Sequence, residues 1–113
     1  HLAIATGKAR RGLDRLLKQW NMSDLFITTR CADEAQSKPH PRMLQDILQQ
    51  TGILSEHAIM VGDTEYDMQM AVSAEMDCLA MAWGVHELHR LQQYRPLACF
   101  YDFTQLLRWF GIK

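Results

Sequence analysis

Four times along this chain of 113 residues, a short apolar run of strand length gives way to a stretch with helical periodicity. Such alternation predicts a parallel sheet with helices on both faces and right-handed crossovers, a three-layer, doubly wound α/β fold. The first run is Leu2-Ala3-Ile4-Ala5, closed by Thr6-Gly7. Leu13, Leu16, Leu17 and Trp20 then recur at helical spacing, with basic residues on the opposite face. Asn21 to Asp24 breaks that pattern, and Leu25 to Thr29 reads as a second strand, rich in aromatic and β-branched residues. After a polar loop, Pro41 suits the first turn of a helix. Met43, Leu44, Ile47 and Leu48 supply its apolar face and Gly52 its stop. Ala58 to Val61 is a third strand, ended by Gly62-Asp63-Thr64 and followed by a helix from about Tyr66 to Glu75. Cys78 to Ala82 is a fourth strand, and Leu88, Leu91 and Tyr94 mark the next helix. Ala98 to Tyr101 reads as a short edge strand, and Phe103, Leu106, Leu107 and Phe110 as a closing helix.

Composition narrows the function classes. Hydrophobic residues make up 48% of the chain and charged residues 22%, values of a globular domain with one core rather than of a disordered segment. A net charge of -1 gives no electrostatic basis for binding nucleic acid or a membrane surface. No apolar run approaches the roughly 18 residues of a membrane-spanning helix, and no secretory leader is visible. The three cysteines, Cys31, Cys78 and Cys99, are odd in number, widely spaced and without a C-x-x-C pair. They read as buried thiols rather than as disulfides or zinc ligands, which fits a reducing cytoplasm. The seven methionines read as core filler.

In open parallel sheets, ligands bind beyond the carboxyl ends of the strands. Thr6 and Gly7 end the first strand, Lys38 lies past the second, and Asp63 ends the third with Asp67 four residues on. If these groups converge on one rim, a hydroxyl, a backbone N–H, an ammonium and two carboxylates suit a phosphate with a bound magnesium ion. The hydroxyl and amide would hold phosphate oxygens, the lysine would offset their charge, and the carboxylates would hold the hard cation. Each residue also has a plainer reading: Thr6 as a turn residue, Lys38 as a solvated lysine, Asp63 as a helix cap and Asp67 as a first-turn acid. Thr6-Gly7-Lys8 is no P-loop, because Leu2 and Ala9 stand where that motif needs Gly and Ser or Thr. His86-Glu87-Leu88-His89 is one residue short of the zinc-protease motif and reads as a surface helix. Lys8, Arg10, Arg11, Arg15 and Lys18 form a basic, solvated face on which Lys8 and Arg10 lie within reach of an anionic substrate at Thr6.

Taken in order, three segments resemble the later motifs of the haloacid-dehalogenase superfamily. Ala5-Thr6-Gly7-Lys8 resembles the second motif, Lys38-Pro39-His40-Pro41 the third, and Val61-Gly62-Asp63-Thr64-Glu65-Tyr66-Asp67-Met68 the fourth. The variant is most similar to the phosphoglycolate-phosphatase-like group. The resemblance implies that Thr6 and Gly7 hold the transferring phosphoryl group and that Lys38 neutralises charge on nucleophile and phosphate. It also implies that Asp63 ligates magnesium, with Asp67 supporting it directly or through a water. The implied activity is hydrolysis of a small anionic phosphorylated metabolite, such as phosphoglycolate or a sugar phosphate, through an aspartyl-phosphate.

That superfamily takes its nucleophile from a leading strand ending D-x-D-G-T, and no D-x-D occurs in this chain. Residues 1–113 are therefore expected to be the carboxyl-terminal part of such a core. The nucleophile strand and the cap domain would be absent, and the chain alone inactive. The missing strand would lie between the Leu2–Thr6 and Ala58–Val61 strands, leaving two unpaired edges to be closed by an upstream segment, a second copy or each other. A receiver-like signalling module or a non-catalytic binding fragment are the alternatives; a receiver would carry its Lys-Pro after the last conserved strand, not before the Asp63 strand.

Overall fold

The structure is a computed structural model that describes residues 1–36, 38–83 and 87–112. It divides into two compact units, His1–Leu54 and Ser55–Lys113. The first contains β1 (Ala3–Ala5), α1 (Arg10–Gln19), β2 (Thr28–Arg30) and α2 (Arg42–Thr51). The second contains a 3-10 turn (Ser55–His57), β3 (Ile59–Gly62), α3 (Glu65–Ser73), β4 (Asp77–Met81), α4 (Leu88–Gln92), β5 (Ala98–Phe100) and α5 (Phe103–Trp109). Every pairing among the described strands is parallel, as the helical crossovers predict. Hydrogen bonding forms two ladders, β1-β2 in the first unit and β3-β4-β5 in the second.

In the first unit, Ala3 pairs with Thr28, Ile4 with Thr29 and Ala5 with Arg30. Paired residues share a face, so Ile4 and Thr29 point one way and Thr28 and Arg30 the other. The Ile4 face is covered by α1, whose Leu13 and Leu17 pack with Cys31, Met22 and Phe26. The Thr28 face is covered by α2: Gln50 Oε1 accepts hydrogen bonds from Thr28 Oγ1 (2.9 Å) and Arg30 Nη2 (2.5 Å). Helices thus flank both faces of this ladder. Gly52, in the left-handed region at φ 71°, ends α2 where a stop was expected.

The second strand begins three residues later than the apolar run suggests. Leu25 to Ile27 were expected in it, yet Leu25 is in a turn closed by its N–H to Met22 O (3.1 Å), and β2 starts at Thr28. The ladder with β1 dictates this, because pairing begins at the Ala3–Thr28 register and only Ile27 N–H reaches back to Leu2 O (2.8 Å). Trp20, placed on the apolar face of α1 by periodicity, is 61% exposed, because it caps the helix after the packed turns have ended.

In the second unit, Leu79 and Met81 of β4 pack with Phe100 of β5 and Leu106 of α5. The opposite face of β3 and β4 is covered by α3, with Met68, Met70 and Ala71 fully buried. Methionines fill both units, as expected of them: Met43, Met68, Met70 and Met81 are buried. On β3, Ile59 and Val61 remain 36% and 38% exposed, unusual for a parallel strand, which is ordinarily buried on both faces. Of the closing helix only Leu106 is buried; Phe103, Leu107 and Phe110 are exposed. The surface helix expected at His86 to His89 begins at Leu88, and His86 lies outside the described residues. No helix among the described residues is long and apolar enough to cross a membrane.

Candidate functional site

Thr6-Gly7 and Asp63 directly follow the carboxyl ends of parallel strands, Lys38 lies in the loop after β2, and Asp67 is in the first turn of α3. Thr6 comes directly after β1 and extends its ladder, donating its N–H to Arg30 O (3.0 Å). The turn then bends so that Lys8 N–H donates to Thr6 Oγ1 (3.1 Å). With one lone pair of the hydroxyl occupied, its own O–H remains to be donated outward, the sense an anionic ligand requires. Gly7 is exposed beside it.

Lys38 is half-buried in the loop between β2 and α2, joined to Pro39 by a cis peptide bond. Pro41 occupies the N-cap of α2 and has no side-chain oxygen to cap it. His40 does so instead, Nδ1 accepting the Arg42 N–H (3.1 Å). The K-P-H-P segment therefore starts a helix as well as carrying the lysine.

In the second unit, β3 runs into Asp63, and Thr64 is the N-cap of α3. Thr64 Oγ1 accepts the Asp67 N–H (3.2 Å), and Asp67 answers with a carboxylate that closes a capping box. Asp67 Oδ2 accepts from Asp63 N–H (3.2 Å), Thr64 N–H (3.2 Å) and Thr64 Oγ1 (2.9 Å). At 3% exposure, Asp67 is the buried anchor of this loop. The cap that the plainer reading gave to Asp63 is thus supplied by Thr64. Asp63 itself is half-buried, and no donor among the described residues reaches its carboxylate. Its donor set suits a hard cation: Asp63 offers uncommitted carboxylate oxygen, while Asp67 Oδ2 is already committed to holding the loop. Further along the same helix, Glu65 pairs with Arg90 of α4.

Sequence reasoning missed a second polar cluster in the first unit. Arg10, read as solvated or in reach of substrate, instead turns into the chain. Its Nη1 donates to Asp14 Oδ1 (3.1 Å) and Thr29 Oγ1 (2.7 Å), and its Nη2 to Thr29 O (3.0 Å) and Glu34 Oε1 (2.6 Å). Glu34 raises the guanidinium pKa further, against the effect of burial. The same bond lowers that of the Glu34 carboxyl. Cys31, Asp33 and Glu34 are grouped closely enough to hold a metal ion. Their carboxylates are engaged elsewhere, however, Asp33 Oδ1 on Arg10 N–H (3.0 Å) and Glu34 Oε1 on Arg10 and on Cys31 N–H (3.0 Å). Only the acidic pair at 33–34 hinted at this, since its partners lie over 20 residues away. Burial pushes all three thiols up, Cys31, Cys78 and Cys99 alike, so they behave as small hydrophobes.

The sequence profile of the family described as "Haloacid dehalogenase-like hydrolase" matches residues 1–81. Phosphoglycolate phosphatase of Colwellia psychrerythraea is 31% identical over 107 residues, covering 94% of this chain and 47% of the relative. A Bacillus cereus protein named pyrophosphatase PpaX is 32% identical over 96 residues, 84% of this chain and 44% of its own. Among solved structures, a haloacid dehalogenase-like family hydrolase from Streptococcus pneumoniae superposes with a TM-score of 0.85 at 26% identity, over 96% of this chain and 51% of that one. The chain thus spans about half the length of the relatives it matches. The resemblance read from its motifs and the parallel α/β architecture both agree with these matches, and the chain belongs to the haloacid dehalogenase-like hydrolases.

Proposed function

We propose that this chain carries the phosphoryl-binding and cation-binding part of a magnesium-dependent phosphomonoester hydrolase. The substrate class is a small anionic phosphorylated metabolite of the phosphoglycolate or sugar-phosphate kind. The observation that carries the reading is Asp63, a half-buried carboxylate at the end of a parallel strand, with its loop locked by Asp67 and its oxygens left without a donor among the described residues. In this reading Thr6 donates its O–H, and Gly7 its N–H, to oxygens of the transferring phosphoryl group. Lys38 offsets negative charge on the nucleophile and phosphate. Asp63 holds the cation, and Asp67 keeps the Asp63 loop in place. Magnesium, when bound, offsets charge on the phosphoryl oxygens. Attack through an aspartyl-phosphate needs an aspartate from outside these 113 residues, because none of them forms a D-x-D pair.

The test is a steady-state assay of the whole protein on phosphoglycolate, sugar phosphates and pyrophosphate, with and without magnesium. Asp63→Asn and Lys38→Ala should each lower kcat on the order of 10²–10³-fold, the usual effect of removing one group that stabilises developing charge. Turnover that survives chelation, or a loss confined to KM, would refute these roles.

A further inference from the structure

Arg10 joins two loops that emerge from the carboxyl ends of neighbouring strands. A guanidinium has four N–H donors on its terminal nitrogens, and here all four point into the chain, toward Asp14, Thr29 Oγ1, Thr29 O and Glu34. Its own backbone N–H, at the first turn of a helix whose N-cap Ala9 has no capping side chain, is met by Asp33 Oδ1 at 3.0 Å. Asp33 and Glu34 belong to the loop after β2, so each loop caps or clamps the other. Two backbone bonds extend the seam, Thr6 N–H to Arg30 O (3.0 Å) and Ala32 N–H to Lys8 O (2.9 Å). Glu34 also holds the Cys31 N–H, which fixes the bend by which the chain leaves β2. One of these loops begins with Thr6; the other reaches Lys38 four residues after Glu34.

We propose that Arg10 is a positioning residue for the phosphoryl site: with Asp33 and Glu34 it holds the loop that leads to Lys38 in register with the turn that carries Thr6. This role rests on the phosphatase reading above. Arg10 is not a substrate ligand in this arrangement, because its terminal donors are already used. Charge alone does not suffice for the task. The planar fork spans Thr29 O and Glu34 at once, and a lysine ammonium, a single point of charge, cannot hold both in that geometry.

The experiment compares the whole protein with its Arg10→Gln, Arg10→Lys and Arg11→Gln variants, following kcat, KM, thermal midpoint and exchange of the Cys31 amide. Arg11 is the exposed neighbour on the same helix and controls for loss of one positive charge. Misplacing a reacting group by about 1 Å costs up to roughly a hundredfold, so both Arg10 variants should lose about ten- to a hundredfold in kcat. KM should stay near the wild-type value, the Cys31 amide should exchange faster, and Arg11→Gln should match wild type. Restored kcat in Arg10→Lys would mean that charge is what matters, and would overturn the proposal. So would a rise in KM with kcat retained, which would mark a substrate ligand. A lowered thermal midpoint with kcat retained would mark a purely structural residue and overturn it equally. If Arg10→Gln does not fold, Glu34→Ala, which removes the acceptor that the fork and the Cys31 amide share, carries the same test, with kcat expected to fall at unchanged KM. A wild-type protein without phosphatase activity would overturn the phosphatase reading itself, an outcome distinct from the other three.

Discussion

The Cα of Gly62 faces the carboxylate of Asp67 so closely that a methyl group there would lie 2.6 Å from both Asp67 Cγ and Oδ2. Glycine at this position lets α3 seat its first-turn acid directly against the end of β3, and that seating brings Asp67 Oδ2 to the Asp63 and Thr64 amides. Gly62→Ala should therefore do two things. It should destabilise the chain by about 1–3 kcal/mol, the usual cost of overpacking a closed contact. It should also expose the Asp63 and Thr64 amides to exchange by displacing their acceptor. Denaturant unfolding and amide exchange would read the two effects. An alanine variant as stable and as protected as wild type would show that the loop does not need this contact.

Acid should loosen the first unit through Glu34. Its carboxyl is held below the ordinary value of 4.5, chiefly by the hydrogen bond from Arg10, with burial opposing. A folded-state value lowered in this way means that the stabilisation is complete above the unfolded value and is lost as pH falls through the lowered one. Denaturant midpoints measured from neutral pH downward should hold steady and then drop below about the ordinary Glu range. The Glu34 contribution to that drop should vanish in Arg10→Gln. An acid limb of the same steepness in both proteins would contradict this coupling.

The thiols offer a second chemical probe. Cys31 and Cys78 are buried, Cys99 is half-buried, and desolvation raises all three above the ordinary thiol value. Since the thiolate is the reactive form, alkylation of the native protein near neutral pH should be slow at each, and slowest at Cys31 and Cys78. In denaturant all three should react at the rate of a free thiol. Mass spectrometry of quenched time points would check the order. Fast native labelling at Cys31 would imply that the seam around Glu34 opens readily.

The 113 residues alone should behave differently from the whole protein. In the proposed reading, which takes its nucleophile from a D-x-D pair that these residues lack, we expect no magnesium-dependent turnover of small phosphomonoesters. We also expect a low thermal midpoint and association that grows with concentration. The exposed Ile59 and Val61 on β3, at the edge of the β3-β4-β5 ladder, are the reason. Sedimentation and calorimetry would decide. A monomer with a sharp, high transition, or one that hydrolyses substrate, would count against this account.

Several features were legible from local patterns. The β/α alternation, the Gly52 stop and the turn at Gly62-Asp63-Thr64 each depend on residues within a few positions of one another. The capping box of Thr64 and Asp67 is equally local, and it sets the cap one residue after Asp63, where the plainer reading would have put it. Strand limits were less legible, because an apolar run such as Leu25 to Ile27 satisfies a strand pattern whether or not a neighbouring strand is in register to pair with it.

What the sequence by itself determined was the order of strands and helices, with Thr6, Gly7 and Asp63 just after strand ends, Lys38 in the loop past the second strand and Asp67 in the helix after the third, because periodicity and short motifs are properties of neighbouring residues. Only the tertiary structure decided that Arg10 turns inward to Glu34, 24 positions away, and that Asp33 meets the Arg10 amide, 23 positions away. The physical reason is the same in both cases. A charged side chain goes to the acceptor or donor that the folded backbone brings within hydrogen-bond distance, and that proximity is created by the ladder and helix packing, not by separation along the chain.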